Sequence, residues 1–357
     1  MVSTVGAGSD PVGRVGVVGL GLVGGSLARL LAERGVDVVA TDVSATTRRA
    51  ARAARLAVVD DLAALCGALP DLVVLAVPLR AMHATAGALA PLLADAAAAA
   101  GPDGGPTVTD VGSVKGPVRA ALGEAGLGGR YVGAHPMSGT EHSGFEASSA
   151  ALLDGVAWAV TVAPDGVEQG SPQRLAHVLR LVTGPLAGTA AVVTDTQHDE
   201  AVALVSHVPH VVATQLLNAV AGAPVRDLAL GLAAGSFRDG TRVARTDPGR
   251  TEAMVTENAA WVAPALRKVV RDLEIVIGAL ETNGSPHAFF HAADEVRAGD
   301  PAPPDDPGRS GDGGLEPLTE GWPGRLVERC VAGDVVAGLS ADHARLVRRP
   351  GPPHPVR

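Results

Sequence analysis

Between Gly133 and Glu141 the chain reads Gly-Ala-His-Pro-Met-Ser-Gly-Thr-Glu, placing His135, Ser138, Thr140 and Glu141 within seven residues. An imidazole titrates near ~6.5, so His135 can accept a proton at neutral pH without heavy tuning. Just upstream, Asp110-Val-Gly-Ser-Val-Lys115 adds a second polar loop carrying Ser113. The competing reading of an isolated histidine is a loop imidazole bonded to a carbonyl. The polar neighbours, His142 among them, favour acid–base chemistry instead.

Three more clusters follow. His198-Asp199 and Ser206-His207-Val208-Pro209-His210 are embedded in Ala, Val and Leu, where polar groups are costly to bury without partners. On one continuous helix His207 and His210 would take adjacent faces, with a kink at Pro209. The plain alternatives are a capping His198-Asp199 pair and ordinary core histidines. No metal is expected, because no cysteine or carboxylate set completes a ligand sphere. Arg238, Arg242 and Arg245 stand at i, i+4 and i+7, either as a solvated face or as a clamp for a carboxylate.

These groups need a scaffold, and the N-terminal half spells one out. The run Arg14–Val18 ends at Gly19-Leu20-Gly21-Leu22-Val23-Gly24, and a helical period opens at Ser26. Asp42 closes the next apolar run, 23 residues after Gly19. That is the dinucleotide fingerprint: pyrophosphate on the helix N-terminus, ribose hydroxyls on the carboxylate. Asp42 would repel a 2′-phosphate, so NAD is expected rather than NADP, although Arg48 and Arg49 could accept one. Further runs end at Val77-Pro78, Val111 and Ala134, with two more at Val156–Ala163 and Thr189–Thr194. The alternation predicts an α/β fold: a Rossmann-type doubly wound parallel sheet over residues 12–195 that includes all these strands. Pro78, Ser113 and His135 each follow a strand, so they should meet in the crevice beyond the carboxyl ends. From 196 to 297 only helical periodicity remains, predicting an all-helical second domain. Residues 298–357 are rich in Pro, Gly, Asp and Arg and are expected to be largely disordered.

Bulk properties narrow the partners. Net charge is -9, with 2% aromatic residues and no basic run, which argues against nucleic acid. Two distant cysteines, Cys66 and Cys330, fit a reducing compartment. Neither a signal-like start nor an apolar run of ~18 residues is visible, so a cytoplasmic protein without membrane association is expected.

Taken together, the chain resembles the prephenate/arogenate dehydrogenase family of tyrosine biosynthesis. The resemblance rests on Gly19–Ser26, Leu75–Pro78, Asp110–Lys115, Gly133–Glu141, His198-Asp199, Ser206–His210 and Thr241-Arg-Val-Ala244, in family order across roughly residues 14–290. It implies oxidative decarboxylation of a cyclohexadienol, prephenate rather than arogenate, with hydride passing to NAD. His135 would take or polarise the hydroxyl proton and Ser113 would bond the same oxygen. Arg242 would hold the ring carboxylate, His207 and His210 the side chain, with His198, Thr140 and Glu141 also lining the pocket. The helical domain would form a homodimer. The pattern departs at Thr251, where many members carry a tryptophan. Other two-domain NAD-linked enzymes, such as 3-hydroxyacid dehydrogenases and imine reductases, and a non-catalytic NAD sensor stay open as alternatives.

Overall fold

The structure, a computed structural model, describes residues 12–100, 104–140, 142–163, 171–298 and 312–348. Glu141 lies outside the described residues. The chain divides into two compact units, Met1–Asp199 with Gly313–Val347, and Glu200–Asp312 with Arg348–Arg357.

The first unit opens with four parallel strands, β1 (Val15–Val18), β2 (Val38–Thr41), β3 (Leu72–Leu75) and β4 (Thr107–Asp110), in the order β2-β1-β3-β4. All are buried throughout, which explains why β1 and β3 read as unbroken apolar runs and not as alternations. The order reverses between β1 and β3, the switch point beyond whose carboxyl ends open α/β sheets bind their ligands.

The next three strands do not extend this sheet, contrary to the sequence expectation. β5 (Gly133–Pro136), β6 (Ala157–Val162) and β7 (Thr189–Thr194) belong to a second sheet. A parallel bridge between Val108 and Tyr131 links β4 to the segment leading into β5. β5 and β6 are antiparallel, and the connection between them contains two 3₁₀ turns but no crossover helix among the described residues. The helix Pro172–Thr183 supplies such a crossover, so β6 and β7 are parallel.

The C-terminal segment corrects a second expectation. Residues 312–348 are not a structureless tail. β8 (Asp312–Pro317), the helix Trp322–Val331, β9 (Asp334–Leu339) and β10 (His343–Arg348) complete the second sheet in the order β5-β6-β7-β9-β10-β8. Trp322, Leu326 and Cys330 recur every fourth residue and enter the core that holds β1, β6 and β7. Ala344 and Leu346 alternate into the same core. The Pro- and Gly-rich residues just upstream mask this short periodic stretch in any composition average.

The second unit is helical. The chain runs from the helix Asp195–Val202 through a π-helical turn, Ala203–His207, into the helix Val208–Ala221, where one helix kinked at Pro209 was expected. Pro209 has no N–H and its ring crowds the carbonyl four residues back, and the wider turn absorbs both defects. The helices Arg226–Gly231, Gly235–Thr241, Pro248–Glu257 and Ala259–Glu281 follow. Ala203, Val208 and Val262 form its core. Val270, Leu273, Ile277 and Leu280 are exposed along Ala259–Glu281, at the spacing of a helix-pairing seam. Among the described residues no helix is long and apolar enough to cross a membrane.

Docking of the C-terminal helix should carry measurable stability. Leu326, fully buried, should cost about 2–5 kcal/mol when changed to Ala. A lowered urea midpoint at unchanged slope is the expected readout, and an unchanged midpoint would show that this helix is not part of the cooperative core.

Candidate active site

The glycines of the first loop are shaped for close approach. Gly19 has φ +95°, which favours glycine, and a Cβ at Gly24 would stand 2.0 Å from the Gly19 carbonyl oxygen. At Gly21 a Cβ would meet no protein atom within 4 Å, so packing does not demand glycine there and a bare backbone faces open space. Gly21 caps the helix Leu22–Glu33 without a side-chain bond, leaving its first amides available to an anion. Asp42 sits one residue past β2, accepting from the Leu20 N–H at 2.7 Å and the Ser44 N–H at 2.8 Å. The Arg48 guanidinium is turned back onto the carbonyls of Asp42 and Val43 at 2.6 and 3.2 Å. Val77 and Pro78 follow β3 at the same end of the sheet. These residues fit a dinucleotide.

At the same end of the sheet, one strand beyond β3, a buried carboxylate gathers two polar loops. Asp110 ends β4, is fully buried, and binds through both oxygens. Oδ2 accepts from Lys115 Nζ at 2.5 Å and from the Gly112 N–H at 2.8 Å, while Oδ1 accepts from the Tyr131 hydroxyl at 2.7 Å and the Ala134 N–H at 3.4 Å. Lys115 Nζ also donates to the Ala134 carbonyl at 2.8 Å. The Ser113 loop and the His135 strand therefore hang from one side chain. Burial pushes the Lys115 ammonium below its ordinary pKa, against the pull of Asp110, Asp195 and Asp199. Burial, then the Asp110 charge, drives the Tyr131 phenol well above 10, so it stays a donor. Gly133 is required by this packing, since a Cβ there would lie 2.3 Å from Thr161 Oγ1 and 3.0 Å from Lys115 Cδ.

His135 lies within β5, not after it as the sequence suggested, paired across from Ala159. Its Nδ1 is 3.0 Å from His198 Nε2, and the rings meet edge to face. His198 Nδ1 is 2.7 Å from Asp199 Oδ1. Asp199 in turn accepts from the Lys115 and Gly116 amides, both at 2.8 Å, at the start of the helix Gly116–Glu124. Burial alone would raise the Asp199 pKa, but the bonds from His198, Gly116 and Lys115 outweigh it and hold the carboxyl below 3.8. Alongside, Asp195 binds Arg119 and accepts from Thr161 Oγ1 at 2.5 Å. Thr140 Oγ1 accepts from the His142 N–H at 3.3 Å.

The remaining expected residues belong to the helical unit. His207 is buried, with Nδ1 3.0 Å from Asn258 Nδ2. His210 Nδ1 donates to the Ser206 carbonyl at 2.8 Å. Arg242 is exposed at the start of a 3₁₀ turn, Arg242–Arg245, so the single helical face drawn through Arg238, Arg242 and Arg245 does not form. Thr251 bonds Thr246 Oγ1 at 3.1 Å.

Comparison with known proteins settles the family. Residues 27–190 match the prephenate dehydrogenase nucleotide-binding domain, and residues 194–291 its dimerization domain. The chain is 32% identical over 290 residues to the cyclohexadienyl dehydrogenase of Zymomonas mobilis, covering 80% of this chain and 94% of that protein. The chain belongs to the prephenate dehydrogenase family. Among solved structures it is similar to the A. aeolicus prephenate dehydrogenase in complex with hydroxyphenyl propionate and NAD+, at TM-score 0.68 and 28% identity over 80% of this chain and 97% of that one. It is also similar to Synechocystis arogenate dehydrogenase, at TM-score 0.67 and 27% identity over 80% and 99%.

For a prephenate dehydrogenase-type oxidoreductase, sequence reasoning missed the Asp110–Lys115–Tyr131 cluster and the seat of Asp199 on a helix start. A signal for the first existed: Tyr131 is the chain's one tyrosine and stands between the two polar loops. Changing Lys115 to Met should cost about 3–5 kcal/mol by leaving a buried carboxylate uncompensated. The double variant Asp110→Asn/Lys115→Met should recover part of that loss in urea melts. Equal losses in both would mean that the charge pair is not what the cluster depends on.

Proposed function

We propose that the protein is an NAD-dependent prephenate dehydrogenase that converts prephenate to 4-hydroxyphenylpyruvate with loss of carbon dioxide, working as a homodimer. The observation that carries this reading is the shared anchorage of the Ser113 loop and the His135 strand on Asp110, at the same end of the sheet as the glycine loop. That anchorage fixes the loop bearing the Ser113 hydroxyl relative to the strand bearing the His135 imidazole, which supports their joint action on a ring hydroxyl proton.

His135 takes the proton from the ring hydroxyl and Ser113 bonds the same oxygen. Bound NAD supplies the two-electron acceptor. Arg242 holds the ring carboxylate as a guanidinium fork suits, while His207 and His210 receive the side chain. Thr140, on the loop after β5, supports the pocket. Aromatisation drives the overall change, leaving the protein to orient the ring and place charge. NAD is preferred over NADP because the Asp42 carboxylate, bonded to the glycine loop at Leu20, would repel a 2′-phosphate and Arg48 donates to backbone carbonyls. The NAD+ in the A. aeolicus complex supports this preference. Likeness to an arogenate dehydrogenase gives arogenate as the second reading.

NADH formation with prephenate and arogenate, each with NAD and NADP, tests the assignment. Parent protein should favour prephenate with NAD. His135→Asn should cut turnover by ~10²–10⁴ and leave NAD affinity near normal; a variant within about fivefold of the parent would overturn the role of His135.

The exposed stripe Val270, Leu273, Ile277 and Leu280 is the natural dimer seam. Leu273→Glu/Ile277→Glu should move the protein from dimer to monomer mass in light scattering, since a charge in an apolar seam is costly. A dimer that survives would place the interface elsewhere.

A further inference from the structure

A base needs more than proximity to its substrate. A neutral imidazole has one lone-pair nitrogen, and whichever nitrogen carries the proton cannot accept another. Something must therefore choose the tautomer of His135.

The structure holds a chain of groups that makes this choice. The Asp199 carboxylate can only accept, and two backbone amides at the start of the helix Gly116–Glu124 keep it in place. The His198 nitrogen facing it, Nδ1 at 2.7 Å, must then be the protonated one. A neutral His198 is left with its lone pair on Nε2, which faces His135 Nδ1 at 3.0 Å. That lone pair draws the His135 proton onto Nδ1. The His135 lone pair then falls on Nε2.

We propose that Asp199 and His198 are positioning residues that hold His135 as its Nδ1–H tautomer, making Nε2 the proton acceptor. The proposal deepens the reading of His135 as the base and rests on it. When the substrate O–H bond breaks, its proton forms the Nε2–H bond and His135 becomes an imidazolium. The new charge is shared through Nδ1–H with His198 and faces the Asp199 carboxylate beyond it. The same logic of carboxylate, imidazole and acceptor operates in hydrolase triads, here with a second histidine inserted. His198 was expected to touch substrate; instead it is 3% exposed and lies behind the base.

Other charges act on His135 as well. Lys115 Nζ lies on the Ala134 carbonyl and disfavours an imidazolium, while Asp110 opposes it. In the backbone register of β5 with β6, His135 pairs with the uncharged Ala159. With those groups unchanged, removing the Asp199 charge must lower the pKa of His135.

Nitrogen-15 histidine spectra of the resting protein, with His135 assigned from the His135→Asn spectrum, read the tautomer without any turnover. Parent protein should show His135 protonated on Nδ1. Asp199→Asn can present its amide N–H to His198 and reverse the chain, so His135 should move toward the Nε2–H form. Kinetically, Asp199→Asn should lose ~10²–10⁴ in kcat with prephenate KM within about threefold. The acidic limb of its kcat/KM profile should shift to lower pH. His198→Leu should lose a similar factor, while His198→Gln, which donates to Asp199 and accepts from His135, should recover most of it.

An Nε2–H signal in the parent, or an acidic limb that stays put in both Asp199→Asn and His198→Leu, would overturn the proposal. So would equal losses in His198→Gln and His198→Leu. Failure of the parent to oxidise prephenate would instead count against the functional reading, with the spectra still deciding the tautomer.

Discussion

A carboxylate taken out of water must be satisfied by the protein or it will not stay charged, and Asp110 imposes that requirement on everything around it. It ends the last strand of the nucleotide-binding sheet and has no exposed surface. Its partners are an ammonium, a phenol and two backbone amides, drawn from the loop carrying Ser113 and from the segment leading to His135. Losing any partner leaves charge or a polar group stranded. The two sheets touch near this point, through the bridge from Val108 to Tyr131. What looks like an electrostatic cost is also the joint between the fold's two halves, and the candidate chemistry is mounted on it.

The polar network continues outward from that joint. The turn that supplies Lys115 also supplies the amides that seat Asp199, and Asp199 orients His198 against His135. One loop therefore sets both the height of the histidine strand and the direction of its ring. Arg119, half-buried, and the buried Asp195 form a second ion pair beside it, with the guanidinium 4.7 Å over the Tyr131 ring. The value of this network lies in rigidity, because groups that have exchanged water for fixed partners do not reorganise when a proton moves.

The C-terminal segment shows a different use of the same scaffold. β7 would otherwise present an open edge, and β9 covers it in antiparallel fashion. The helix Trp322–Val331 packs its apolar face into the core of the first unit, so residues far beyond both matched family domains complete the sheet that bears His135. Neither family domain match reaches residue 312.

Local chemistry was legible from the residues alone. The glycine spacing, the acidic residue closing β2, the parallel βαβ grammar and the helical second half all follow from short-range rules, in which each residue's conformational limits or periodicity act within a few positions. The polar motifs could be marked as unusual because polar groups among Ala and Val need a reason. Who partners whom could not be read, since Asp110 with Tyr131, or Asp199 with Gly116, are brought together by strand order and helix placement. A strand's fourth or eighth neighbour in sequence is known from periodicity, but its neighbour across a sheet depends on crossover direction and on which edge remains open. That is why the histidine was found from its motif, while the tautomer it holds, the split into two sheets and the capture of the C-terminal strands were decided only by the folded chain.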